Sequence, residues 1–307
     1  MKILYDLPDY QEQTVVALGN FDGVHLGHRK LITECVELAR QQNALSVVVT
    51  FEPHPIRILY PEREFKTILN KNKKTEIISK LGVDILIYLT FDMSMAALKA
   101  DEFAKEILHD KLNAKHVFVG FNYTFGAMAS GNTRTLKELS SKLDFKLQVI
   151  KPVKIEQQVV SSSSIRKMLL EGKIEKAKQF LGYWPVLYGK VVLGRRVGRK
   201  IGFPTANLRV GQNILVPKSG VYASKIMIDN QEYLGMTNIG QKPTFGYNLP
   251  QTIEVNIFNF DQDIYGQELE ISLVKRLRNE QKFHSPERLQ KQLEQDRKDV
   301  FLALSRS

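Results

Sequence analysis

Cysteine is almost absent from this chain: Cys35 stands alone among 307 residues. An intramolecular disulfide is thereby excluded, which suits a reducing compartment. Cys35 falls on the apolar face of a helical pattern, where a small buried side chain is expected rather than a catalytic thiol. No apolar run reaches membrane-spanning length, and the N-terminus lacks the basic segment and apolar stretch of a secretory signal. The expectation is a cytoplasmic protein without a membrane partner. Gly-x-x-x-x-Gly-Lys-Ser/Thr is missing too, since Gly126…Gly131-Asn132-Thr133 and Gly189…Gly194-Arg195-Arg196 both lack the lysine. There is no Gly-x-Gly-x-x-Gly, no internal repeat and no low-complexity segment. P-loop ATPase and ordinary dinucleotide dehydrogenase readings are therefore disfavoured.

Acidic residues are in deficit. Lys and Arg number 44 against 33 Asp and Glu, a formal charge of +11, which raises the question of a nucleic-acid partner. Residues 1–182 hold 26 basic against 21 acidic groups, and 183–307 hold 18 against 12. The excess is spread over both halves and forms no single basic arm. Lys71, Lys73 and Lys74 read as a solvated patch. Arg195, Arg196, Arg199 and Lys200 are interleaved with Gly194, Gly198 and Gly202, which points to a phosphate loop. Small polyanionic ligands explain the charge at least as well as RNA does.

What is present divides in two. The first half alternates strand-like runs (Thr14–Leu18, Ser46–Phe51, Ile85–Phe91, His116–Phe121, Leu147–Val153) with helical patterns near Lys30–Gln42, Lys73–Leu81, Asp101–Leu112 and Thr135–Leu143. That alternation predicts a Rossmann-like parallel α/β domain. One further amphipathic helix, Ile165 to Phe180, closes it. Gly182-Tyr183-Trp184-Pro185 then breaks the pattern, giving domains 1–182 and 183–307. In the second half Val186–Leu193, Val221–Ile228, Tyr233–Met236, Ile253–Phe260 and Leu269–Lys275 read as strands with no helices between them, an antiparallel barrel or sandwich. Ser285-Pro286-Glu287 opens a terminal helix reaching about Leu304, with Leu289, Leu293, Val300 and Leu304 available for packing.

The most informative run is Gly19-Asn20-Phe21-Asp22-Gly23-Val24-His25-Leu26-Gly27-His28. It sits where an apolar strand turns into an amphipathic helix. The first turn of a helix carries unpaired N–H groups and the positive end of the dipole, so it is a ready phosphate site. Gly27 leaves room for close approach, and two imidazoles can donate to phosphate oxygens. The segment reads as a triphosphate site for nucleotidyl transfer. A metal site is the competing reading, but His25 and His28 have no Cys or His partners at zinc-ligand spacing nearby.

Other candidates lie at the ends of parallel strands, where open α/β sheets bind ligands. Phe51-Glu52-Pro53-His54-Pro55 follows the second strand. Gly120-Phe121-Asn122-Tyr123-Thr124-Phe125-Gly126 follows the fourth; Asn122 offers a paired donor and acceptor, and the aromatics either flank a planar ring or fill the core. Ser161-Ser162-Ser163-Ser164-Ile165-Arg166 makes either a second anion corner or a plain helix cap. In the second half, Thr205 and Asn207 share one face of an extended chain and are hard ligands suited to Mg²⁺ on phosphates. Ile253-Glu254-Val255-Asn256-Ile257 puts Glu254 and Asn256 together on the opposite face from the apolar residues. A glutamate there can accept a proton from an attacking hydroxyl.

The stretches Gly19–His28, Phe51–Pro55, Gly120–Gly126 and Val160–Arg166 resemble the adenylyltransferase half of bacterial bifunctional FAD synthetases. Gly202–Leu208, Gly220–Ala223, Asn238–Gly240, Pro243–Gly246, Tyr265-Gly266 and Arg278–Phe283 resemble the riboflavin kinase barrel. Two steps are implied: ATP-dependent phosphorylation of riboflavin to FMN, then adenylylation of FMN to FAD with release of pyrophosphate. The resemblance implies that His25 and His28 stabilise charge and that Gly19, Phe21, Asp22, Gly27, Ser162 and Arg166 hold ATP phosphates. It further implies that Asn122 meets the flavin nucleotide, that Gly194, Gly198 and Gly202 hold phosphates of the second ATP, and that Thr205 and Asn207 bind Mg²⁺. Glu254 matches the catalytic base. Asn122 departs from the family's frequent Asp, and Ala127–Ser130 lacks a frequent arginine. A different His-x-Gly-His nucleotidyltransferase, or a basic RNA-binding protein without turnover, are the alternatives.

Overall fold

The computed structural model describes residues 1–194, 202–241 and 251–305. Gly198, the Arg195–Lys200 cluster and the Pro243–Gly246 stretch lie outside the described residues. The chain divides into two compact units, Met1–Phe65 with Lys71–Ser161, and Lys66–Asn70 with Ser162–Ser307.

In the first unit six strands form one parallel sheet: β1 (Lys2–Leu4), β2 (Thr14–Leu18), β3 (Leu45–Glu52), β4 (Ile85–Thr90), β5 (Ala114–Gly120) and β8 (Lys146–Ile150). Their order is β1-β4-β3-β2-β5-β8. All five residues of β2 are buried, as a central strand covered on both faces requires. The sheet reverses direction of growth beside β2: the chain passes through α1 (Leu26–Gln41) to β3 on one side, while β5 lies on the other. The switch point lies between β2 and β5, and the carboxyl ends of strands at such a point are the usual ligand position in these sheets. The edge strand β1 is too short to be read from the sequence.

The remaining helices are α2 (Pro55–Leu59), α3 (Lys71–Ser79), α4 (Met93–Ala97), α5 (Ala100–Glu102) and α6 (Thr133–Lys142). Helix α5 continues as a π-helix over Phe103–Lys111, burying Phe103, Ala104, Ile107 and Leu108 against the sheet. Two short ribbons complete the unit, β6 (Thr124–Phe125) with β7 (Gly131–Asn132), and β9 (Lys154–Ile155) with β10 (Gln158–Val159). Cys35 is fully buried on α1, its thiol donates to the Val15 carbonyl at 3.2 Å, and burial pushes its pKa to about 12. It is an inert packing residue.

The second unit contains α7 (Ser162–Glu171) and α8 (Ile174–Leu181). One continuous helix was expected here. The chain instead turns at Gly172, whose φ of +77° is left-handed, a conformation that ends a helix. Six antiparallel strands close into a barrel: β11 (Val186–Val192), β12 (Ala206–Val210), β13 (Gly220–Ile228), β14 (Gln231–Gln241), β15 (Gln251–Ile257) and β16 (Glu268–Arg278). The closed order is β11-β12-β15-β14-β13-β16. Five strands were expected. The sixth, β12, is Ala-Asn-Leu-Arg-Val, a five-residue run that follows the glycine-rich segment directly, and it supplies the pairing that removes the sheet edges.

The barrel interior holds Tyr222, Ile226, Ile239, Ile253 and Val255, with one polar pair, Ser224 to Thr237 at 2.8 Å. Helix α9 (Pro286–Leu304) covers part of the outside, packing Leu293, Val300 and Leu304 against Val221, Ala223, Met236 and Phe258. Ser285 caps it by accepting from the Arg288 amide, as its sequence predicts. Among the described residues no helix is long and apolar enough to cross a membrane.

Candidate active sites

Between β2 and α1 the backbone takes an uncommon course. Phe21, Gly23 and Val24 have φ of +46°, +80° and +33°. Two of these are not glycine, and one is β-branched, so the turn is strained by about 1–3 kcal/mol per such residue. Burial holds it: the Phe21 and Val24 side chains have no exposed surface and Asp22 is buried. The Phe21 ring packs edge-on to His28 at 5.3 Å, so this side chain supports the site from below. A Cβ on Gly19 would meet that same ring at 3.0 Å, and one on Gly27 would meet the His25 ring at 3.2 Å.

His25 is the residue capping α1. Its Nδ1 accepts from the His28 amide at 3.3 Å, which leaves the proton of a neutral ring on Nε2 as a donor. The two imidazoles stack at 3.6 Å with planes 14° apart. The amides of Leu26 and Gly27 belong to the first turn, where helix geometry supplies no partner. Burial first, and then the neighbouring His25 and Lys74, hold His28 well below the usual imidazole range. Its Nδ1 is buried without a hydrogen-bond partner. His28 is thus a neutral hydrogen-bonding group at neutral pH and supplies no resident charge.

The resident charge is lysine. Lys71, Lys73 and Lys74, expected as a solvated patch, are placed otherwise by α3. Lys74 lies on the same face as the buried Ile77 and Ile78 and is itself only 8% exposed. Its ammonium donates to the Asn20 carbonyl at 3.2 Å and to the Thr50 hydroxyl at 3.1 Å. Thr50 also donates to Asn20 at 3.1 Å, so α3 and β3 are tied to the turn that leads to the histidines. Lys71 sits over the rings of Tyr5 and Tyr88, 4.1 and 4.8 Å from their centroids. Lys73 pairs with Glu76 at 3.0 Å. The available signal was spacing, because Lys74 precedes Ile77 and Ile78 by three and four positions.

The loops after β3 and β5 contribute less than their sequences promised. His54 caps α2, accepting from the Ile56 amide at 3.3 Å, and its ring lies 4.4 Å from that of Phe65. Phe125 is buried in the core and Tyr123 packs against it, their rings 5.7 Å apart. Burial raises the Tyr123 hydroxyl far above its usual range. Asn122 is exposed at the end of β5, next to Phe121. Ser162 and Arg166 belong to the second compact unit, in α7, where Arg166 donates to the Lys66 carbonyl at 3.2 Å.

On the barrel, strand register gathers a second group. Asn207 faces Glu254, and Glu254 faces Asn238; directly opposed residues share one face of the sheet. Asn238 is in turn opposite Val221, which packs under α9, so the row lies on the outside of the barrel. The approach to β12 is anchored twice: Phe203 is buried beside Val221 and Met236, and Asn256 donates to the Pro204 carbonyl at 2.6 Å. Thr205 is thereby set at the head of β12. A Cβ on Gly194 would collide with the Asn207 amide group, so the backbone there closes onto that side chain. Gly202 meets no such neighbour and is required by its φ of +80° instead. Glu280 lies over Gly240, which is paired with Thr252, two residues along from Glu254.

Thr205, Asn207 and Glu254 offer hard oxygen atoms beside a backbone cradle that a Cβ would fill. This donor set fits Mg²⁺ when phosphates complete the coordination. Among the described residues no group of three His, Cys, Asp or Glu could hold a metal alone.

Each half of the chain matches a known family. Residues 7–164 match the family model of FAD synthetase, and residues 181–303 match that of riboflavin kinase. A bifunctional riboflavin kinase/FMN adenylyltransferase of Buchnera aphidicola is 36% identical over 95% of this chain and 95% of its own length. The enzyme of the same name from Bacillus subtilis is 37% identical over 96% of this chain and 94% of its own. A crystal structure from Streptococcus pneumoniae, described as a macrolide-efflux protein, is similar at a TM-score of 0.89. It shows 33% identity and covers 98% of this chain and 99% of that one.

Proposed function

The chain belongs to the bifunctional riboflavin kinase/FMN adenylyltransferase family, and from that premise we propose which residues perform each reaction. It is an enzyme of flavin cofactor biosynthesis with ATP as co-substrate of both steps. The efflux activity in the name of the Streptococcus protein is not carried over, because both halves of this chain match flavin enzymes.

Residues 183–307 carry the kinase in our reading. Glu254 takes the proton from the ribityl 5′-hydroxyl of riboflavin as its oxygen attacks the γ-phosphorus of ATP; the bond to the β-phosphate oxygen breaks, leaving FMN and ADP. The observation that carries this assignment is the strand register that sets Glu254 opposite Asn207. Thr205 and Asn207 would hold Mg²⁺, which when bound neutralises charge across the phosphates. Gly194 and Gly202 let backbone approach the same phosphates, and Gly198, outside the described residues, is assigned with them from the sequence alone.

Residues 1–182 carry adenylyl transfer. The FMN phosphate, already ionised near neutral pH, attacks the α-phosphorus of a second ATP and pyrophosphate leaves. No general base is needed. His25 and His28, with the amides of the α1 first turn around Gly27, donate to the triphosphate as charge develops on the leaving group. Gly19, Phe21 and Asp22 shape that turn, Ser162 and Arg166 bind phosphates, and Asn122 meets the flavin nucleotide. A single buried thiol supports a reducing, cytoplasmic setting. The dispersed charge supports small anions over nucleic acid as partners.

The deciding experiment is a chromatographic time course of the whole protein with riboflavin, ATP and Mg²⁺. FMN should appear first and FAD after it. FMN without FAD would overturn the assignment of the first half to FMN, and neither product from folded protein would overturn both assignments.

A further inference from the structure

We infer that Lys74 supplies the fixed positive charge of the adenylyl-transfer site, binding the triphosphate directly while it pins the turn that carries His25 and His28. The inference deepens the function proposed above and rests on it.

Three observations lead there. First, the Lys74 ammonium is buried, yet its hydrogen-bond partners are neutral: the Asn20 carbonyl and the Thr50 hydroxyl, with the Tyr88 ring face 5.2 Å away. An ammonium has three donors, and these bonds use two. Buried cations are ordinarily paired with an anion, because desolvation otherwise costs several kcal/mol. Its neighbour Lys73 shows the ordinary arrangement, an ion pair with Glu76 at 3.0 Å. Among the described residues no carboxylate bonds to Lys74, and Asp22 and Glu52 act on it only through space; such an arrangement suits a site whose closest counter-ion is the substrate.

Second, its position is that of the ligand. Asn20 follows β2 and Thr50 lies near the end of β3, so Lys74 sits at the carboxyl edge of the sheet, beside the switch point. Third, His28 cannot fill the role. His28 is held neutral by its burial, by His25 and by Lys74 itself, whereas the Lys74 ammonium carries a charge at neutral pH to draw a polyphosphate. Lys71 is engaged with two tyrosine rings at the surface side of the same helix.

The charged and titratable groups that bear on Lys74 are Asp22 from the turn, Glu52 from β3, Lys71 from α3, Tyr88 from β4 and His28 from α1. Burial outweighs the two carboxylates, and the ammonium titrates at about 8. The pH profile of kcat/KM reports the free enzyme. FMN adenylylation should therefore weaken as pH rises through about 8, when Lys74 loses its proton.

The test uses the full chain and three proteins: wild type, K74M and K74R. Methionine keeps length without charge, and arginine keeps charge. Each is assayed for FAD from FMN and ATP, and for FMN from riboflavin as a check on the preparation. Because the chain has one cysteine, buried in the first unit, its reaction with a thiol reagent reports whether that unit is folded. K74M should keep Cys35 protected and lose on the order of 100-fold in kcat/KM for ATP in adenylylation. Its kinase rate should change by less than about twofold. K74R should retain most adenylylation, with the alkaline fall near pH 8 gone.

Adenylylation by folded K74M within about threefold of wild type would overturn the inference. So would K74R as impaired as K74M, which would mean that shape and not charge matters. Should K74M expose Cys35, K74R decides alone: an alkaline fall that stays near pH 8 overturns the inference, and its disappearance supports it. Wild-type protein that makes no FAD would instead overturn the proposed function itself, before any variant is compared.

Discussion

Burial lowers the Lys74 pKa from 10.5 to about 8, and the same displacement acts on folding. Between pH about 8 and 10.5 the unfolded chain holds a proton that the folded chain has lost, so stability rises with pH across that window. Below it the buried charge costs on the order of 3 kcal/mol. K74M should therefore unfold at higher denaturant than wild type at pH 7, and the gap should close by about pH 10.5. Urea titrations of both proteins at several pH values would check this. The opposite order at pH 7 would mean that the bonds to Asn20 and Thr50 stabilise more than burial costs.

Gly194 is the second single residue that decides something. A methyl group there would overlap the Asn207 amide, and displacement of a ligand-positioning group by about 1 Å can cost on the order of 100-fold in rate. G194A should lower riboflavin phosphorylation by about 10- to 100-fold while leaving adenylylation of supplied FMN within about twofold. Both rates come from one chromatographic assay. None of this was legible in the glycine spacing, which identified the loop but not the contact.

Among elements, the terminal helix shows how far a pattern reaches. Its cap, start and apolar positions were readable from Ser285, Pro286, Leu293, Val300 and Leu304. Asp296 was not. It lies 1% exposed on the packed face, where Arg278 of β16 donates to both of its oxygens at 2.8 and 2.6 Å, and Gln292 adds a bond at 2.9 Å. Removing one partner of a buried pair strands the other charge, at about 3–5 kcal/mol. D296A should lower the urea midpoint of the second unit accordingly. An effect below about 1 kcal/mol would mean that Arg278 reaches water unaided. Periodicity finds apolar faces and is silent on a polar residue whose partner is distant in sequence. The same limit hid Lys74 on α3 and made a solvated patch of it.

Strand β12 and the α7–α8 turn failed for a different reason. Ala206–Val210 does alternate apolar and polar residues, but it spans only five positions directly after the glycine-rich run, and its strand character depends on pairing with β11 and β15. The break at Gly172 was hidden because each helix shows buried residues three and four apart, and the five-residue step from Leu169 to Ile174 is a small departure from that spacing.

For the whole molecule the sharpest expectation is that two chemistries on one chain separate by substitution. E254Q should lose at least about 100-fold in FMN formation, as loss of a general base does, and still convert supplied FMN to FAD. H28A should do the reverse and accumulate FMN from riboflavin. If either substitution abolished both products in folded protein, the two sites would not be independent. The order of appearance, FMN and then FAD, follows from the same division.

Composition, strand alternation and helix starts were enough to determine two units of different architecture, because those signals are local and repeat many times. Gly19–His28 and Gly202–Leu208 with Glu254 were likewise legible, since each packs several chemically specific residues into a few positions. Tertiary structure alone decided that Asn207 opposes Glu254, that Tyr123 and Phe125 belong to the core, and that Lys74 is buried beneath the phosphate turn. Register, burial and desolvation depend on what distant segments bring to the same place, and a linear pattern does not carry that information.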